Sequence, residues 1–207
     1  MNNNSEPSKS ITSIFFGFYS HFILRDLLAK ITPGAIVLLT IFIAFFTPND
    51  GWRIINYLTN FWTWIIFIII SWLIGFAVQG VGEFTGLIRY YPKKIDRKEL
   101  VEKEWYKMRL KFLKTATETQ KREEERLCVV KETCGNGCVG LIISFIFIAL
   151  NVLHIGLANS ILYKYIHNHN VLYFYLVLLL FFVLILSLWY MHYKNTQRQF
   201  DYVNVHN

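Results

Sequence analysis

The chain has 207 residues, of which 54% are hydrophobic and 17% aromatic, and its 21 lysines and arginines outnumber 14 acidic residues. A water-soluble domain of this length seldom carries several long apolar runs, so the composition argues against a soluble protein and predicts an all-α integral membrane protein. In such a protein, the net charge of +7 indicates membrane topology and attraction to anionic lipid before it indicates nucleic-acid binding.

The first 31 residues predict a polar tail followed by a helix that lies in the membrane interface. From residue 11 onward, bulky apolar side chains share one side of a helical wheel, and small or polar side chains share the other. A charged collar of Arg25, Asp26 and Lys30 comes next. The same segment is equally compatible with a plain extension of the first transmembrane helix.

Four apolar segments predict four transmembrane helices, grouped in two hairpins at residues 32–83 and 138–190. The first helix is predicted to begin at Thr32-Pro33, where threonine caps and proline occupies the first turn. Its apolar run ends after 14 residues, which is short for a crossing. A polar tail at residues 191–207 follows the fourth segment.

Residues 84–137 form the only sizeable polar part and predict a helical hairpin. Apolar residues recur there at helical spacing among charged ones, and the second helix continues into the third span. A core made by two helices is marginal alone. We therefore expect the hairpin to pack against a neighbouring subunit or another protein.

Basic residues are distributed unevenly between the two sides of this arrangement. Nineteen lie in the N-terminal segment, the central hairpin and the tail, whereas the other two loops contain only Arg53 and Lys164. The positive-inside rule then predicts that both termini and the hairpin are cytoplasmic. That topology requires an even number of spans, as predicted.

The second span carries small residues on one face, at steps of four, four, three and four. This predicted seam consists of Ser71, Gly75, Gln79, Gly82 and Gly86. Small residues let another helix approach closely, and the amide of Gln79 needs a hydrogen-bond partner at membrane depth. The seam is compatible with packing inside the chain's own bundle, with a subunit contact and with the lining of a polar path.

Polar side chains within predicted spans are candidates for function. They are Gln79, Glu83, Asn151 and His154. The first two lie towards the cytoplasm and the last two towards the outer face, so they do not predict a single cluster. The three cysteines (Cys128, Cys134 and Cys138) lack the paired C-x2-C spacing of zinc sites. The sequence predicts no metal and no cofactor.

Motifs of the common catalytic classes are absent from the sequence, including the Walker loop, the dinucleotide fingerprint and the G-x-S-x-G and H-E-x-x-H patterns. The pattern of HEPN-type ribonucleases, arginine followed by histidine after four to six residues, is absent too. We therefore expect no enzyme. The hairpin instead predicts a cytosolic partner surface at Lys98, Trp105, Lys107, Arg109 and Lys111. It would meet RNA or a protein; a solvated helix near anionic lipid is the alternative.

Two short segments carry a resemblance: RDLLAKITPGA at residues 25–35 and GFAVQGVGE at residues 75–83. Together with the layout of short spans and one basic hairpin, they resemble the four-span accessory membrane proteins of type VI-B CRISPR–Cas loci. The resemblance implies a protein of the bacterial inner membrane that acts with an RNA-guided RNA-targeting nuclease. The absent arginine–histidine pattern separates the chain from the enhancing type and leaves its direction of action open.

The function expected from these observations is a non-enzymatic accessory of antiviral defence. It would form a homo-oligomer through the second span and couple a cytosolic signal, from the nuclease or its RNA, to the membrane. A small ion channel or transporter that uses Gln79, Asn151 and His154 is one alternative. A membrane scaffold that recruits a cytosolic partner is another. The sequence identifies no small-molecule substrate.

Overall fold

A computed structural model of the chain describes residues 27–47, 49, 56, 60–89, 98–152, 160–162, 164 and 171–206. All regular structure in these residues is helical, which confirms the predicted all-α class. The five helices are α1 (Thr32–Phe45), α2 (Phe61–Phe84), α3 (Lys98–Thr115), α4 (Glu118–Val152) and α5 (Val171–Val205). The predicted interfacial helix lies almost entirely outside the described residues.

Three of these helices are long and apolar enough to cross a membrane. The apolar helices are Phe61–Phe84, Glu118–Asn151 and Tyr175–Val205, and a shorter one covers Ala29–Phe45. At 1.5 Å per residue, the shorter helix is about 25 Å long, against about 30 Å for a hydrocarbon core. Half of the apolar window of α4 is buried, compared with 17% in α2 and 6% in α5. Helix α4 is therefore the one around which the others pack.

The α-helical part of α1 begins at Thr32, as its sequence predicts, but the predicted threonine cap is wrong. A π-helical turn, Leu27–Ile31, leads directly into it, and no side chain caps it. Pro33 thus lies inside a longer helix, where its nitrogen cannot donate to the carbonyl of Ala29 four residues earlier. Asn136 of α4 supplies the missing donor, since its Nδ2 lies 2.6 Å from that carbonyl oxygen. The neighbouring helix compensates for the proline.

Helices α1 and α2 cross antiparallel at two glycines. Gly34 of α1 faces Ser71, and Gly75 of α2 faces Lys30, so the contacts run in opposite order along the two helices. A Cβ atom at either glycine would overlap backbone atoms of the other helix. The two backbones therefore meet directly, which only residues without a side chain permit.

Helix α2 ends at Phe84, so placing Gly86 on the helical seam is wrong. Gly86 has a φ of +71°, in the left-handed region that terminates helices. The chain then turns back, and the N–H of Ile88 donates to the carbonyl of Gly82 at 2.9 Å. Gly86 shapes a turn and does not contribute to helix packing.

We expect Gly86→Ala to destabilise the protein by about 1 kcal/mol, because an L side chain is strained at positive φ. No atom lies within 4 Å of the added methyl group, so strain is the whole effect. Gly80→Ala is the matched control: it also has open space, but it lies inside α2, where alanine should stabilise by up to about 1 kcal/mol. The unfolding temperature in detergent is measured for both variants. Shifts of the same sign would contradict a left-handed turn at Gly86 and a helical position at Gly80.

Helix α3 and the first part of α4 form a helical hairpin. Its turn is closed by a capping box: the N–H of Gln120 lies 3.4 Å from Thr117 Oγ1, and the N–H of Thr117 donates to Gln120 Oε1 at 2.9 Å. These reciprocal bonds satisfy backbone donors at the start of α4.

Helix α5 supplies a third helix for the hairpin. It continues without interruption to Val205, through the segment expected to be a tail. The rings of Trp105 and Phe200 lie 5.7 Å apart, and Phe112 and Val203 are fully buried in the same cluster. The boundaries predicted after residues 137 and 190 both fall inside single helices. The hairpin thus packs on the chain's own C-terminal helix.

Candidate functional site

Buried polar side chains concentrate where α4 and α5 continue beyond their most apolar segments, residues 138–152 and 171–190. We call this group the polar cluster. Its members are Glu124, Lys131, Glu132, Asn136, His192, Asn195, Thr196 and Gln199, all buried. Burying so many polar groups is unfavourable unless each finds a partner inside the protein. The arrangement of these partners defines the site.

Four side chains from three helices form a continuous chain of hydrogen bonds. Arg109 Nε of α3 donates to Glu124 Oε1 at 2.9 Å, and Gln199 Nε2 of α5 donates to the same oxygen at 2.5 Å. Lys131 Nζ of α4 donates to Gln199 Oε1 at 2.7 Å. The amide of Gln199 therefore lies between a carboxylate and an ammonium group, and its orientation is fixed by both.

The ammonium group of Lys131 lies in the polar extension of α4, where only 2% of the residue is exposed. Burial lowers the pKa of Lys131, while the Cys128 thiol and the carboxylates of Glu132 and Glu124 act in the opposite direction. Cys128 Sγ in turn donates to Glu132 Oε1 at 3.4 Å. A buried charge of this kind persists only while its partners remain in place.

His192 links α5 to α4 and to the loop after α2. The backbone N–H of Arg89 donates to His192 Nε2 at 3.0 Å, so this nitrogen is unprotonated. Nδ1 therefore carries the proton and donates to the carbonyl of Lys131 at 2.8 Å. Burial lowers the pKa of His192, and the positive charges of Lys131 and Arg89 act in the same direction. The imidazole is neutral and satisfied on both sides.

Acidification should weaken the anchor formed by His192, because protonating Nε2 removes the acceptor for the Arg89 N–H. The folded pKa lies below the ordinary value of about 6.5, so this contribution is complete above that pH and declines as the pH falls below it. We expect the unfolding temperature to fall between about pH 7 and pH 5. The fall should be smaller in His192→Gln, whose amide does not titrate. An identical fall in both proteins would contradict this role.

Two asparagines of α4 bond the two ends of α1. Asn136 bonds the carbonyl of Ala29, and Asn151 Nδ2 bonds the carbonyl of Ala44 at 2.7 Å and Ser160 Oγ at 3.0 Å. Both pairs with α1 are separated by 107 residues, so α1 and α4 run parallel and in register. The carbonyl of Ala44 lies in the last turn of α1, which has no intrahelical donor. The sequence singled out Asn151 as an intramembrane polar residue, whereas Asn136 was missed because it precedes the apolar run.

The structure buries three members of the predicted seam, Ser71, Gly75 and Gly82. The first two lie against α1, and a Cβ at Gly82 would meet the side chains of Ile88 and Val139. All of these contacts are within the chain. A contact between subunits would therefore use other faces of α2.

Gln79, the remaining seam residue, is half-buried and donates to Glu83 Oε1 at 2.6 Å, one turn further along α2. This pair and the Asn151 site are separate, as their positions in the sequence predict. His154 lies outside the described residues.

The predicted partner surface on α3 is wrong for Trp105 and Arg109. Trp105 is 3% exposed against Phe200, and Arg109 reaches inward to Glu124. Both lie on the side of α3 that packs on α4 and α5. Lys107 and Lys111 are exposed. Lys98 belongs to α3, but its side chain is outside the described part.

Among the described residues, no group of three His, Cys, Asp or Glu side chains is arranged to hold a metal ion. The three cysteines are buried free thiols.

Comparison with protein-family models, with curated proteins and with solved structures finds no significant match to this chain. Its function must therefore be inferred from its own residues and geometry.

Proposed function

We propose that this protein is an integral membrane protein that couples a partner in the cytosol to its transmembrane bundle without catalysing a reaction. Helices α4 and α5 each have 35 residues and run unbroken from an apolar segment into a polar extension. Each is about 52 Å long, more than the thickness of a bilayer core. A displacement of the polar ends would therefore be transmitted along rigid helices.

The proposed topology has four spans, because α1 is added to the three long apolar helices. Both termini lie in the cytoplasm of a bacterial cell. Helix α1 is short, but α2 and α4 pack on it, and the two asparagines bond its carbonyls at both ends. Lys30, near its start, is 6% exposed, and its Nζ lies 5.2 Å from the centre of the Phe76 ring. The ring of Phe76 helps to stabilise the buried ammonium group at this end of the short span.

One observation carries the proposed coupling: the bond between Arg109 and Glu124 connects the hairpin to the polar cluster. Glu124 also accepts from Gln199, so one carboxylate holds α3, α4 and α5 together. A partner that displaces α3 would remove the arginine from this carboxylate. Glu124 would then need a new partner, and its shift would move Gln199 and with it α5 relative to α4.

The proposed biological setting is prokaryotic antiviral defence, in which the chain would modulate an RNA-guided RNA-targeting nuclease at the membrane. This setting follows from the resemblance of residues 25–35 and 75–83. A homo-oligomer in this setting would use the exposed apolar faces of α2 and α5, because α1 already covers the glycine face of α2.

The test is to express an RNA-guided RNA-targeting nuclease with and without this protein, and to measure phage restriction. We expect restriction to change when the protein is present, and Arg109→Gln to abolish that change by breaking the bond to Glu124. Arg126→Gln is the control, because Arg126 forms an exposed pair with Glu123. Equal restriction with and without the protein would refute the proposal.

A channel is the second candidate, favoured by buried polar atoms of the bundle that have no hydrogen-bond partner among the described residues. They are Ser71 Oγ, Asn136 Oδ1, Ser144 Oγ and Asn151 Oδ1. Such atoms are usually hydrated, but the apolar cluster of Val37, Val78 and Val139 lies in the same bundle and would act as a dry gate. Membrane potential separates the candidates: depolarisation without the nuclease supports a channel, and altered restriction at intact potential supports coupling.

A further inference from the structure

The side of α3 that faces away from α4 and α5 carries exposed lysines and two exposed larger side chains. Tyr106 is 48% exposed and Leu110 is 58% exposed. We call this surface the outer stripe, and it consists of Lys103, Tyr106, Lys107, Leu110 and Lys114, all exposed. Its members recur at helical spacing, so they form a ridge along about 17 Å of helix.

The three lysines of the outer stripe have no acidic partner within the described part of the chain. The acidic side chains at the start of α4 are already engaged. Glu118 pairs with Lys121 at 3.2 Å, Glu123 pairs with Arg126 at 2.6 Å, and Glu124 pairs with Arg109 at 2.9 Å. Glu102 and Glu104 flank the stripe on α3 and are exposed, but the ammonium groups of the stripe remain accessible to an external anion.

Helix α3 packs on α5 beyond the end of its apolar segment, which disfavours a lipid surface as the partner of the stripe. Trp105 contacts Phe200, ten residues beyond the end of the apolar segment of α5, or about 15 Å along the helix. Phe112 packs on Tyr202 and Val203, two to three residues further from that apolar segment. The field of an anionic bilayer falls off over about 8 Å at physiological salt. Only this argument, from the distance between the stripe and the membrane, rests on the proposed function and its membrane topology.

We infer that the outer stripe binds single-stranded nucleic acid. A flexible strand can follow this ridge along the helix and bring successive phosphates to successive lysines. Neighbouring lysines are about one turn apart along the axis, so each can contact a separate phosphate. Tyr106, exposed between them, provides a face on which a base can stack. The binding is expected to depend on salt and to show little sequence preference.

The test measures binding of the full-length protein, in neutral detergent, to a fluorescent 20-nucleotide oligo(U) by anisotropy at several salt concentrations. We expect the slope of log K against log salt to be about −2, since each phosphate contact contributes about −0.7. Replacing all three lysines with glutamine should bring the slope close to zero. Tyr106→Ala should weaken binding about tenfold and leave the slope unchanged, because stacking is not ionic.

Lys121→Gln is the matched control, because Lys121 is paired with Glu118, and it should bind like the wild type. Unchanged binding by the triple variant would overturn the inference, as would equal competition by polyglutamate or by vesicles of anionic lipid. Thermal unfolding confirms that the variants are folded, which outward-facing lysines permit. If the triple variant binds normally while Arg109→Gln still abolishes the effect on the nuclease, the inference fails and the coupling proposal stands.

Discussion

Replacing Gly75 with leucine should separate α1 from α2 and destabilise the protein by more than about 3 kcal/mol. The first atom of the new side chain would overlap the backbone carbonyl of Lys30. Backbone atoms cannot rotate away as a side chain can, so the two helices must move apart. Such a movement would also disturb the carbonyl of Ala29, which accepts a hydrogen bond from Asn136 of α4.

Gly80→Leu is the control for this prediction, since Gly80 belongs to the same helix and has no atom near its Cβ position. A leucine there should cost almost nothing, because this face of α2 is exposed. Thermal unfolding and gel filtration in detergent distinguish the two variants. Because the Gly75 contact lies within one chain, the loss should be independent of protein concentration. Equal stability of the two variants would show that α1 does not pack on this face.

The seam on α2 shows what helical spacing can predict. Ser71, Gly75 and Gly82 share a face because of their spacing, and small residues on one face indicate close packing in any membrane bundle. Spacing cannot identify the partner, because α1 of the same chain and α2 of another would both fit. It also failed at Gly86, since a regular spacing continues through a residue whose φ has already ended the helix.

The polar cluster shows where sequence information ends. Glu124 and Gln199 are 75 residues apart, and each alone resembles an ordinary solvent-exposed residue on a charged helix. Only the continuation of α5 beyond its apolar segment brings them together. Trp105 was misassigned for the same reason: its helical periodicity correctly marks an apolar face but does not reveal that Phe200 covers it.

The start of α1 is a further case in which tertiary contact overrides a local signal. Thr32-Pro33 is a good helix start when the chain is considered alone, because proline lacks the donor that an interior position needs. Asn136 provides that donor from another helix, so the helix extends back through a π-helical turn. The local rule that proline begins a helix depends on the cost of its missing backbone donor. Here Asn136 of another helix removes that cost.

Glu124→Gln should destabilise the protein by about 2 kcal/mol, because it leaves Arg109 and Lys131 without a carboxylate between them. Glu124 is only 2% exposed, so water cannot replace the lost charge. The amide oxygen can keep the bonds from Arg109 Nε and Gln199, but the NH2 group then faces Arg109 Nη2, which donates to Glu124 Oε2 at 3.4 Å. The expected loss lies below that of a fully buried pair, since the Arg109 side chain is 32% exposed.

Glu123→Gln is the matched control: the side chain next in sequence faces solvent with Arg126, and its loss should cost less than about 0.5 kcal/mol. A double variant of Glu124→Gln with Arg109→Gln should be more stable than the sum of the single effects predicts, by about 1 kcal/mol, because the unpaired arginine is removed. Denaturant unfolding is measured for the wild type, the two single variants and the double variant, and for Glu123→Gln as the control. Strict additivity would mean that Arg109 and Glu124 act separately, and the hairpin would then have no polar connection through which to move α5.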